Sequence, residues 1–80
     1  MKGCRLTDCV FSKDYQIKEI INLDNGLKKR LIDLGFKENE KIKVLKNNYF
    51  NKSYLVKVVG INYAIDKKIC ENILVVSWKK

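Results

Sequence analysis

The sequence has no histidine, only two arginines and only three cysteines, and no run of 18 apolar residues. Each shortage removes a class of function. Without histidine, without a serine or cysteine beside a plausible base, and without a phosphate-cradling glycine loop or paired carboxylates, general acid–base and nucleophilic catalysis have no carriers. The chain therefore reads as a binding or regulatory module and not as an enzyme. The lack of a long apolar run, and of an apolar signal core at the N-terminus, predicts neither a membrane span nor a secretion address, which points to the cytoplasm. Three cysteines, Cys4, Cys9 and Cys70, cannot all pair with one another, so no disulfide framework is implied.

What the chain does have is positive charge. Seventeen lysines and arginines against nine acidic residues give a net charge of +8. A field of that sign favours acidic protein surfaces, nucleic acid or anionic lipid. The cations are mostly lysines, the arginines being Arg5 and Arg30, whereas base reading and phosphate clamping lean on arginine forks. Eighty residues close one core.

The periodicity predicts a mainly β fold. Residues 1–14 show no clear period and read as an N-terminal arm, a loop or loosely packed lead-in to a domain over 15–80. Residues 15–23 start with alternation and then break register, as a strand with a bulge does. Asp24-Asn25-Gly26 is turn and cap chemistry, and Leu27, Leu31 and Leu34 recur at helical spacing, widened by Ile32 and ended by Gly35. Residues 41–46 alternate lysine with Ile42 and Val44, and 54–59, 61–65 and 73–78 read as further strands, with Gly60 at a tight turn. Residues 66–71 fit a single helical turn capped by Asp66, with Ile69 and Cys70 facing inwards. About five short strands, one short helix after the first strand and one helical turn before the last predict a small SH3-like barrel.

Two segments carry a resemblance: Leu27-Lys28-Lys29-Arg30-Leu31-Ile32-Asp33-Leu34-Gly35-Phe36, and Gly60-Ile61-Asn62-Tyr63-Ala64-Ile65 followed by Ile73-Leu74-Val75-Val76. Together they resemble the FeoA family, ferrous iron transport protein A. The resemblance implies an SH3-like barrel acting in the cytoplasm with FeoB, the membrane transporter of ferrous iron that carries a GTPase domain. Related barrels in metal-dependent repressors follow a DNA-binding helix-turn-helix, and nothing in this sequence supplies one.

Candidate sites follow from residue type. Lys28, Lys29 and Arg30 form a basic helix face suited to an acidic partner surface, and Tyr49 and Phe50 form an aromatic pair in a polar loop, suited to anchoring one. Cys4 and Cys9, with Asp8 between them, are the candidate metal ligands, and a transition metal ion, iron or zinc, is the one cofactor they leave open. Cys70 reads as a small buried hydrophobe. A second reading of the whole is a basic SH3-like nucleic-acid-binding module, motivated by the charge and by barrels that combine lysines with aromatics.

Overall fold

The computed structural model describes residues 3–48, 50 and 52–78. In chain order these form β1 (Cys4–Arg5), a 3-10 turn (Leu6–Asp8), β2 (Asp14–Ile20), α1 (Asn25–Leu34), β3 (Lys41–Asn48), β4 (Ser53–Val58), β5 (Ile61–Asp66), the one-turn helix α2 (Lys67–Cys70) and β6 (Ile73–Ser77). All six strands join one antiparallel sheet in the order β1-β6-β2-β3-β4-β5, so β1 and β5 are its edges. The architecture is the expected small, mainly β, SH3-like one, with six strands in place of about five.

Alternation explains the sheet. Tyr15, Ile17 and Ile20 of β2, Ile42 and Val44 of β3, Tyr54, Val56 and Val58 of β4, and Ile73 and Val75 of β6 all face one core, while the intervening residues are partly or fully exposed. Two bulges bend the sheet round that core, one in β2 between Ile17 and Glu19 and one in β3 between Val44 and Lys46. An extra residue on one strand sharpens the local twist, which lets so short a sheet curl. Among the described residues no polar or charged side chain is buried, so the core stabilises the fold through apolar burial, about 1.5–3 kcal/mol for each large side chain.

The extra strand lies in the segment expected to be a loop or loosely packed lead-in. Cys4 and Arg5 pair with Val75 and Leu74 of β6, and the 3-10 turn that follows drops Leu6 into the core with no exposure. The Val10 N–H donates to Tyr15 Oη at 2.9 Å, and the Ser12 N–H donates to the Val44 carbonyl at 2.7 Å. A two-residue strand followed by a 3-10 turn has no period long enough to register in sequence, which is why patterning reads this stretch as irregular.

At the other edge, Asp66 caps α2 by accepting from the Lys68 N–H at 3.0 Å, and α2 packs against β4, β5 and the 3-10 turn. Its Cys70 is fully buried, as expected. Burial, with Asp66 and Glu71 nearby, pushes that thiol up from 9.0 to about 12. The raised value has a sign for stability. The thiol is neutral in both states below pH 9, and above it the unfolded chain ionises while the folded chain does not, so stability falls as pH rises from about 9 towards 12. Between pH 8 and pH 10 the wild type should lose roughly 1 kcal/mol more than Cys70→Ala, read from urea unfolding at each pH. Equal losses would place the thiol in water.

Candidate docking surface

Helix α1 is the element that builds a surface, and its ends explain how. At its start Asp24 Oδ1 accepts from the Leu27 N–H at 2.8 Å. At its end Gly35 takes the left-handed conformation, with φ +113°. The Gly35 N–H reaches the Ile32 carbonyl at 3.0 Å and the Phe36 N–H the Leu31 carbonyl at 2.9 Å, the paired bonds of a Schellman motif. That motif turns the chain inwards, so Phe36 is fully buried and its ring lies 5.5 Å from that of Tyr63. Tyr63 Oη in turn donates to the Leu34 carbonyl at 3.1 Å. Gly35 itself sits against Val59. Three contacts thus fix the C-terminal end of α1 over the β4–β5 hairpin.

The helix is anchored more sparingly than its leucine spacing predicts. Leu31 alone is buried on it, at 3% exposure, and Leu27 is half-buried. Ile32 and Leu34 are 39% and 40% exposed, because Phe36, just past the cap, fills the core position that the last helical turn would otherwise take. Val59 and Ile61 on the neighbouring hairpin are 59% and 52% exposed. Lys28, Lys29 and Arg30 are exposed on the same helix. An open cleft of about 640 Å³ runs between α1 and β2, with Lys28, Ile32, Ile17 and Ile20 among its walls. The apolar members of this surface were missed in sequence because Ile32 and Leu34 fit the core stripe and Ile61 fits a strand; a valine at a turn position, Val59, was the available signal.

The second predicted anchor lies elsewhere. Phe50 is fully exposed at the β3–β4 turn, while Tyr49 falls outside the described residues. The turn adjoins the Ser53 end of β4 and Gly35 meets its Val58 end, so the length of a six-residue strand separates Phe50 from the end of α1. The fold does not bring the basic triplet and the aromatic together at one spot.

The predicted metal ligands do approach one another. Cys4 Sγ lies 3.9 Å from Cys9 Sγ, and Cys9 Sγ lies 3.5 Å from the Arg5 carbonyl. Both thiols are free. Burial first, and then Cys4, push the Cys9 thiol well above its ordinary range. No group of three or more Cys, Asp or Glu side chains able to hold a metal forms among the described residues, so the pair supplies two soft donors and no third.

A shallow groove on the opposite face of the sheet gathers Lys41, Lys43 and Lys57 beside Trp78. Two of its three lysines are already engaged: Asp14 lies 3.9 Å from Lys41 and 3.5 Å from Lys43, and Lys41 stands over the Trp78 ring at 5.4 Å. Asp14 and Glu40 also line it, which lowers its pull on a phosphate backbone.

No helix among the described residues is long and apolar enough to cross a membrane. Solved structures share the fold. A crystal structure of an iron uptake regulatory protein (FeoA) aligns over 95% of this chain and 97% of its own, with a TM-score of 0.78 and 17% identity. The FeoA protein from Chlorobium tepidum aligns over 94% and 70%, with a TM-score of 0.84 and 20% identity. A manganese-dependent transcriptional repressor in complex with manganese reaches a TM-score of 0.87 at 18% identity, over 98% of this chain but 38% of its own. No curated protein sequence matches the chain. The FeoA domain matches residues 4–77, which takes in both edge strands, α1 and the closing strand, and the chain belongs to the FeoA domain family.

Proposed function

We propose that this protein is a non-catalytic accessory component of ferrous iron transport that acts by contact with the cytosolic part of an FeoB-type membrane transporter. Membership of the FeoA domain family supports the role in ferrous iron transport. The observation that carries the contact is the surface around α1, where Lys28, Lys29 and Arg30 stand on the helix that leaves Ile32 and Leu34 exposed, and whose C-terminal end meets the hairpin that exposes Val59 and Ile61. Charge at the rim speeds and orients encounter, and exposed apolar side chains supply the area that a partner must bury. Phe50 provides a separate contact at the far end of β4.

The test is a titration of the protein against the soluble GTPase domain of its FeoB partner. Reversing the basic triplet with Lys28→Glu, Lys29→Glu and Arg30→Glu should slow association roughly 10- to 100-fold at low salt, with a smaller difference at high salt. Phe50→Ala should act mainly on dissociation. Wild-type association by the triple variant, or no binding by the wild type at physiological salt, would refute the docking assignment.

A further inference from the structure

We infer that the outer edge of β5 is a second binding site, one that takes an extended peptide segment alternating acidic and apolar residues and adds it to the sheet as a further strand. This rests on the sheet and not on the docking assignment for α1, although Ile61 borders both surfaces.

The phase of the β4–β5 ladder decides what β5 offers. Val59 and Gly60, with φ of +53° and +75°, form a two-residue turn between the paired residues Val58 and Ile61, and the pair flanking such a turn exchanges hydrogen bonds. At the other end the Lys67 N–H donates to the Lys52 carbonyl at 2.8 Å, in the same phase. The bonded pairs are therefore Val58 with Ile61, Val56 with Tyr63 and Tyr54 with Ile65. The alternate residues, Asn62 and Ala64, turn their N–H and C=O groups away from β4. Both are exposed, and among the described residues no strand lies on the other side of β5.

Natural edge strands are usually shielded by a lysine, a proline, a bulge or a covering element. The sequence Ile61-Asn62-Tyr63-Ala64-Ile65-Asp66 has neither lysine nor proline, and its pairing with β4 is free of bulges. Ala64 leaves the approach to the edge uncrowded.

The two faces beside this edge differ, and that selects the occupant. Ile61 and Tyr63 lie on the core face, the first exposed and the second half-buried. On the opposite face Lys57 stands across from Asn62. Lys52, Lys67 and Lys68 gather at the far end and are exposed, against Asp66, whose carboxylate is taken up in capping α2. An added strand would meet Ile61 and Tyr63 with every other side chain, while Lys57 on the opposite face and Lys52, Lys67 and Lys68 at the far end set a positive field along the edge that favours acidic residues at the alternate positions. The net charge of +8 carried by each chain disfavours a second copy as the occupant.

The experiment uses a capped octapeptide, (Glu-Val)4, with (Lys-Val)4 as its charge-reversed control, and follows amide exchange in the whole protein by NMR. Excess (Glu-Val)4 should slow exchange at Asn62 and Ala64 by about tenfold or more, less so as salt is raised, and (Lys-Val)4 should not. Ala64→Pro should abolish the effect with little loss of stability, because the Ala64 N–H makes no ladder bond to β4. Peptide N-methylated along its pairing edge should also fail, a control that leaves the protein unaltered. Unchanged exchange at these amides, an equal effect from the lysine peptide, or protection that grows with the protein's own concentration would overturn the proposal.

Discussion

Leu6→Ala should destabilise the domain by roughly 2–5 kcal/mol, the range for removing most of a fully buried leucine side chain and leaving a cavity. For a chain of 80 residues whose total stability is on the order of 4–12 kcal/mol, that is a large share. Leu6 has no exposed surface and sits in a 3-10 turn that packs against α2 and β6, so the cavity would open where the N-terminal segment meets the last two elements. Urea unfolding should show a lower midpoint with an unchanged slope. A loss under about 0.5 kcal/mol, the scale of a surface substitution, would instead make the segment the peripheral lead-in that its sequence suggests.

That contrast marks where sequence was informative and where it was not. Alternation in β2, β3 and β4 was legible because each strand buries one face, and a period of two survives a single bulge. The caps of α1 were legible because Asp24 and Gly35 are local signals whose chemistry needs no partner. Leu6 was opaque for the opposite reason: its burial depends on β1 pairing with β6, some 70 residues later in the chain, and nothing within five residues of it repeats.

The candidate site was half legible. Lys28, Lys29 and Arg30 stand exposed as expected, but Leu34 satisfies the helical period and is nevertheless exposed. Periodicity reports which residues share a face, and only tertiary packing decides how far along the helix that face stays covered. The free edge of β5 was invisible from sequence because strand order is a property of the whole sheet.

The helix cap and the hairpin tip should prove energetically coupled. Gly35→Ala introduces two costs. The left-handed conformation at φ +113° disfavours any Cβ, and the new atom would lie 2.9 Å from Val59 Cγ2, closer than packed atoms tolerate. A combined loss of roughly 2–4 kcal/mol is expected. Val59 is itself strained, a β-branched residue at φ +53°, where turns of this kind favour glycine or asparagine. Val59→Gly relieves that strain while giving the unfolded chain more freedom, so alone it should change stability by no more than about 0.5 kcal/mol. In its presence Gly35→Ala retains the conformational cost and loses the clash, so the double variant should be about 1–2 kcal/mol more stable than the sum of the single changes. Additivity within about 0.3–0.5 kcal/mol would mean that the two loops do not bear on each other. Coupling of the expected size would make the Gly35–Val59 contact the joint that holds α1 against the hairpin, and would explain why a strained valine occupies the turn: its methyl groups both brace the helix and remain exposed beside Leu34 and Ile61 for a partner to cover.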